Sequence, residues 1–251
     1  MGEARVESQL QGKTVLVTEA TRNFGHITAQ ALAKEGAALF LSTLDQQVQL
    51  EAIRHDVSAL GVKVVTGKYD ISDEAQAQAL VERCIAEFGR LDVVVNNVLY
   101  PVPTQALEDL PFEQWKRKIE VETTGSFYLF KHVLPRMIEQ EWGRIINYTG
   151  LDAFKGADLL AGATELGIVG LTRGMAREYG KHHITANCIG AGGIETEDVE
   201  GRHAFPPGAR DPIPRWGRPE EIAFLTVSLC SEAAGYVTGQ CLLANGGKYF
   251  L

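Results

Sequence analysis

Residues 13–43 read KTVLVTEATRNFGHITAQALAKEGAALFLST, and this stretch decides how the chain folds. Positions 13–18 make an apolar run with the pattern of a strand buried on both faces. Positions 24–35 have helical spacing and stop at Gly36, and 38–43 make a second buried strand. The same alternation continues to the C-terminus. Strands are expected at 63–67, 91–96, 144–148, 184–189 and 240–244. Helices are expected at 47–60, 72–88, 112–138, 156–180 and 219–231, with Asp73 near the start of the second and Gly89 just past its end. Continuous apolar strands joined by helices require a parallel sheet covered on both faces. With right-handed crossovers this is an α/β chain, a single doubly wound, Rossmann-like domain. Residues 1–11 read as an N-terminal extension, 12–251 as the domain, and the proline-rich 197–215 as a lid loop.

Composition narrows the function. A net charge of −8 argues against a nucleic-acid or anionic-membrane surface, since both need clustered positive charge. The four cysteines, Cys84, Cys188, Cys230 and Cys241, form no CxxC pair, which points to buried thiols in a reducing cytoplasm. No apolar span reaches 18 residues, and 1–11 lacks a signal-peptide core, so a cytoplasmic location is expected. His26, His55, His132 and His203 show no metal-ligand spacing, and no metal site is expected.

The stretch 155–180, KGADLLAGATELGIVGLTRGMAREYG, carries Leu166, Ile168, Val169, Leu171, Thr172 and Met175 at helical spacing. Gly162, Gly167, Gly170 and Gly174 interrupt it, each at a cost of about 1 kcal/mol relative to alanine. Such a helix implies a close neighbour, either the sheet or another subunit.

The C-terminal third holds the most specific motifs. Arg215, Gly217, Pro219, Glu220, Glu221, Ile222 and Ala223 fit R-x-G-x-P-E-E-I-A. Gly235 to Gln240, then Asn245, Gly246 and Gly247, fit a Y-V-T-G-Q…D-G-G ending. Asn96 and Asn97 fit the first half of N-N-A-G, and Asp70 the acidic position after the third strand. On these residues the chain resembles the short-chain dehydrogenase/reductase (SDR) family over nearly its full length, which implies the SDR fold.

The resemblance also places the family's functional positions, and they depart. Its turn T-G-x-x-x-G-x-G falls on Thr18, Glu19, Ala20, Thr21, Arg22, Asn23, Phe24 and Gly25, where only the last glycine remains. The missing glycines serve a tight turn and the approach of backbone amides to pyrophosphate. Glu19 adds a negative charge where that anion would sit. This degenerate turn, with Asp70 and Asn96 as remnants, implies that the chain binds no cofactor. The catalytic tetrad positions fall on Glu122, Gly150, Ala161 and Glu165 in place of Asn, Ser, Tyr and Lys. Alanine cannot take a hydroxyl proton, and glutamate would raise a neighbouring phenol's pKa.

The expected function is therefore a non-catalytic, pseudo-enzyme subunit. It would assemble as a hetero-dimer or hetero-tetramer with a homologous active SDR chain, which would hold NAD and oxidise a hydroxyacyl-CoA-type alcohol. The alternative is a cofactor-independent isomerase, lyase or dehalogenase-like enzyme in which Glu122 and Glu165 converge as an acid–base pair. Against that pair stands a plain ion pair, with Lys118 or Arg173 as the partner.

Overall fold

A computed structural model describes residues 8–22, 24–195 and 211–251. Its seven strands are β1 (Thr14–Val17), β2 (Ala38–Thr43), β3 (Val64–Lys68), β4 (Val93–Asn96), β5 (Gly143–Gly150), β6 (Ile184–Ala191) and β7 (Cys241–Ala244). All pair in parallel, in the order β3-β2-β1-β4-β5-β6-β7. The chain winds outward from β1 to β3, then returns to lay β4 on the other side of β1. That reversal opens a crevice at the carboxyl ends of β1 and β4, where doubly wound sheets bind ligands.

Alternate strand residues feed two cores, as the period of two requires. Val15, Val17, Leu39, Leu41, Val93 and Val95 pack on one face with α1 (Gly25–Lys34), α2 (Gln47–Ser58) and α8 (Pro219–Cys230). Leu16, Phe40, Val94 and Ile145 pack on the other face with α3 (Glu74–Phe88), α5 (Gly125–Glu139) and α7 (Leu159–Tyr179). Helix α3 starts and stops as its sequence signals say. Asp73 accepts a hydrogen bond from the Gln76 N–H, and Gly89 closes the helix at φ +77. Among the described residues no helix is long and apolar enough to cross a membrane.

Two expected helices are broken. The span 112–138 is α4 (Phe112–Lys118), a π-helical turn at Ile119–Thr124, and α5. A π turn widens the hydrogen-bonding by one residue and leaves the apolar period almost intact, so the pattern hides it. The span 156–180 begins earlier as α6 (Leu151–Lys155), ends at Gly156 with φ +64, and restarts at Asp158, whose carboxylate caps α7 through the Ala161 N–H at 2.7 Å. The glycines of α7 do not meet the sheet. A Cβ built on Gly162, Gly167, Gly170 or Gly174 finds nothing within 4 Å. The sheet side of α7 is instead made by Ile168, Val169, Thr172 and Met175.

Candidate active site

The crevice holds two adjoining cavities that share Val98 and Leu99, the residues following β4. The larger, about 710 Å³ with its open mouth, is walled by Phe24, Asn96, Glu122, Tyr148, Gly150 and Glu165 among others. The second, about 670 Å³, is walled by Glu19, Arg22, Asp45, Asp70 and Tyr100 among others.

Glu122 and Glu165, far apart in sequence, line the same cavity. Glu122 sits on the π-helical turn, one turn beyond Lys118, and the two form a buried ion pair at 2.6 Å. The Tyr100 backbone closes this pair from both ends. Its N–H donates to Glu122 Oε1 at 2.7 Å, and its carbonyl accepts from Lys118 Nζ at 3.0 Å. The ion-pair reading thus holds for Glu122, through Lys118 rather than Arg173. It does not hold for Glu165. That carboxylate, buried on α7, accepts the Gly150 N–H. Gly150 leaves it room, since a Cβ there would stand 3.0 Å from Glu165 Oε2. Burial pushes the Glu165 carboxyl up to about 7, against the pull of the Gly150 N–H and Lys118 and with the push of the Glu122 charge.

The remaining polar groups are largely committed. Asn96 Nδ2 donates to Asn147 Oδ1 and to Ser126 Oγ, both at 2.9 Å, and Asn147 continues to Thr172. These bonds stitch β4 and β5 to α5 and α7. Among the described residues Tyr148 is the one tyrosine on the larger cavity's wall, and it is unsuited to proton transfer. Its hydroxyl is held by Thr28 at 2.8 Å and Thr226 at 2.7 Å, and burial pushes its pKa well up. Its ring meets Phe24 edge to face, with centroids 5.4 Å apart. Ala161, one turn before Glu165, contributes only a methyl group.

The turn after β1 lacks its first glycine, at Glu19. Glu19 takes the left-handed conformation, φ +47. Asn97 Nδ2 clamps the turn by donating to the carbonyls of Glu19 at 2.8 Å and Arg22 at 2.9 Å. Gly25 is required, because a Cβ there would lie 2.6 Å from Ala20 Cα and push α1 off the turn. Arg22 reaches both oxygens of Asp45, at 3.1 and 3.2 Å, and stands 3.6 Å from Glu19. Burial pushes Glu19 up to about 7, with Arg22 opposing and Asp45 and Asp70 adding to the rise. Asp70 accepts from Ser72 and, at 3.2 Å, from Arg117. Asn23 lies outside the described residues, as does most of 197–215.

This donor set suits a dinucleotide better than the altered motif suggests. Among the described residues Asn97 Oδ1 is a buried acceptor with no donor, Asn97 lines the larger cavity, and a ribose hydroxyl reaching that oxygen would satisfy it. Asp45 follows β2 at the position where an acidic residue takes a ribose 2′-hydroxyl in this architecture. At a pKa near 7, Glu19 is about half neutral at neutral pH, which softens its conflict with a phosphate. The described residues fit the group. Among the described residues no cluster of three or more His, Cys, Asp or Glu suits a metal ion.

Comparison with known proteins supports an oxidoreductase lineage. The family model described as "Enoyl-(Acyl carrier protein) reductase" matches residues 20–248. The chain is 28% identical to the 3-oxoacyl-[acyl-carrier-protein] reductase FabG of Aquifex aeolicus, over 97% of this chain and all of that one. It is 31% identical to (2S)-[(R)-hydroxy(phenyl)methyl]succinyl-CoA dehydrogenase subunit BbsD of Thauera aromatica, over 95% of this chain and 97% of that one. Its fold matches the crystal structure of NAD+-bound xylitol dehydrogenase with a TM-score of 0.87, at 26% identity over 95% of this chain and 100% of that one.

These matches correct the functional expectation. The tetrad positions alone would set the chain beside the inactive subunit of 2-[hydroxy(phenyl)methyl]succinyl-CoA dehydrogenase, which it was expected to resemble in kind. Yet the relatives it matches end to end carry the names of reductases and dehydrogenases, and the matched subunit is named for the dehydrogenase itself. The non-catalytic subunit is overturned on that finding, and the cofactor-independent isomerase or lyase goes with it. Missing tetrad residues are not a missing site: the crevice is formed and holds an ionisable carboxyl. With a family model covering most of its length and a relative above 30% identity matched end to end, this chain belongs to the short-chain dehydrogenase/reductase family.

Proposed function

We propose that this chain is an oxidoreductase interconverting an alcohol and a carbonyl, with Glu165 as the group that exchanges the substrate's proton. The observation that carries the reading is a buried carboxyl, lifted to about 7, facing a cavity at the topological switch point. A group with that pKa transfers protons in either direction near neutral pH. In reduction, the neutral Glu165 carboxyl gives its proton to the carbonyl oxygen and becomes a carboxylate. In oxidation, the carboxylate takes the hydroxyl proton. The Gly150 N–H then stabilises the carboxylate, which places that form within reach at neutral pH.

A nicotinamide dinucleotide, when bound, supplies or accepts the hydride. Asn97 and Asp45 are the residues that would accept its ribose hydroxyls, and Phe24 the residue that walls the crevice beside it. Lys118 is a positioning residue. It holds Glu122 in an ion pair against the Tyr100 backbone, which keeps one carboxylate charge fixed near Glu165 while its own charge limits the resulting rise. Lys118 thereby exerts from α4 the electrostatic influence that a lysine on α7 would exert.

The test is consumption of NADH or NADPH by the purified chain with a panel of ketones and 3-oxoacyl thioesters. Turnover is expected in wild type. Glu165→Gln should lower kcat by about 10²–10⁴, the usual weight of a general acid or base. Its pH–rate profile should also lose the inflection near 7. Undiminished turnover by Glu165→Gln, or no cofactor consumption across the panel, sinks the reading.

A further inference from the structure

Cys188 on β6 and Cys241 on β7 are direct register partners in the parallel sheet. Both are free thiols, and both pack into one small cluster with Ile168 and Val169. Neighbouring strands run about 4.7–4.9 Å apart. That spacing lies within the about 4.4–6.8 Å between Cα atoms that a disulfide spans. The two sulfurs differ in access. Cys188 is fully buried, with Thr172 Oγ1 at 3.1 Å, whereas Cys241 is partly exposed, with Thr149 Oγ1 at 4.0 Å.

We propose that Cys188 and Cys241 are an oxidation site, closing to a disulfide across the β6–β7 rung when the protein meets a hydroperoxide. Cys241 reacts first, being the accessible thiol. The neighbouring Cys188 also holds it below the usual thiol range, while Cys241 and burial hold Cys188 above it. The Cys241 thiolate attacks the terminal peroxide oxygen, the O–O bond breaks, and an alcohol or water leaves with the thiol's proton. This leaves a sulfenic acid on Cys241. The Cys188 sulfur then attacks the Cys241 sulfur, the S–O bond breaks, and hydroxide departs as water with the Cys188 proton. Two thiols lose two electrons in all, and one peroxide accepts them.

The sheet allows this closure and makes it reversible. β7 is the last strand of the order and pairs on one side only, so it can shift toward β6 without breaking a second ladder. Direct neighbours on two strands do not meet ideal disulfide geometry, and a strained disulfide is readily reduced. The bond would also act on the candidate active site. Thr149, on the wall of the larger cavity, stands beside the Cys241 sulfur, and Thr172, beside the Cys188 sulfur, holds Asn147.

Treating the native, full-length protein with hydrogen peroxide tests this directly. Intact mass should fall by two hydrogens per chain. Thiols alkylated after denaturation should drop from four to two. Dithiothreitol should reverse both. In a non-reducing tryptic map, peptide 182–202 should join peptide 216–248, with fragmentation placing the link on Cys241 rather than Cys230. In Cys188→Ala the first product should persist, as a sulfenic acid on Cys241 that dimedone traps. Addition of two or three oxygens to Cys241 without a cross-link in wild type overturns the proposal. So does a full complement of four alkylated thiols after peroxide. Should the variant fail to fold, the wild-type map alone decides.

Discussion

Burial lifts one carboxyl in each half of the crevice, Glu165 and Glu19, and the two differ in what surrounds them. Glu165, in the larger cavity, meets a backbone N–H from Gly150, and the nearby Lys118 is committed to Glu122. Glu19, on the wall of the second cavity, stands beside Arg22, whose guanidinium is shared with Asp45. Burial lifts both to about 7. The shift is common and the use is not. Among the described residues Glu165 has no ion-pair partner of its own, which under the proposed function leaves its proton for a substrate. Glu19 stands beside a cation, and under the proposed dinucleotide binding its proton would set the charge that a phosphate meets. Burial sets when each group titrates; the neighbours decide what the titration does.

The largest effect expected from breaking this comparison is the loss of about 10²–10⁴ in kcat for Glu165→Gln, with KM moved far less. The amide oxygen still accepts the Gly150 N–H, so the variant should fold. Next in size is Lys118→Met. It strands the Glu122 charge in a buried site, and removing one partner of a buried pair costs about 3–5 kcal/mol. Urea unfolding should register that loss, and the double variant Lys118→Met/Glu122→Leu should recover most of it, since an apolar pair replaces a buried ion pair at little cost. A double variant as unstable as the single one breaks the claim that charge, rather than packing, is what Lys118 supplies.

How much of this was legible in the sequence depends on the range of the interaction. Strands such as β2 were legible because both of their faces are buried and the run is apolar throughout. Asp73 and Gly89 were legible because caps act over a few residues. The π turn was not, since its extra residue leaves the apolar period standing while it carries Glu122 toward the cavity. Nor was the environment of Glu165, which depends on Gly150 from another element and on the absence of a side chain there. The α7 glycines showed that a bare face exists, but not that it points away from the sheet. The tetrad positions are visible in the sequence, but the step from them to a non-catalytic subunit conflicts with the reductases and dehydrogenases that the chain matches.

Stability against pH tests both carboxyls at once. Each has a folded-state pKa near 7 against an ordinary value of 4.5. Between those values the folded chain binds more protons than the unfolded chain, so stability falls as pH rises from about 4.5 to about 7 and then levels off. A rise of that size corresponds to a loss on the order of 3 kcal/mol per group. Chemical denaturation from pH 4.5 to 8 should trace this fall, with Glu165→Gln and Glu19→Gln each removing part of it. A profile that rises over the same window contradicts both assignments.

The smallest effect expected separates the two halves most cleanly. If the Glu19 proton governs the charge facing a phosphate, dinucleotide affinity in wild type should weaken by about tenfold from pH 6 to pH 8, as one nearby unit charge appears. Glu19→Gln should bind as tightly at pH 8 as wild type does at pH 6. Glu165→Gln, whose carboxyl serves the substrate half, should keep the wild-type slope. Calorimetric titrations with NADH in two buffers of different ionisation enthalpy would count the protons directly, with uptake expected in wild type and absent in Glu19→Gln. An unchanged slope in Glu19→Gln would mean that the turn meets the phosphate through its backbone alone, and that Glu19 is held by Arg22 without facing the ligand at all.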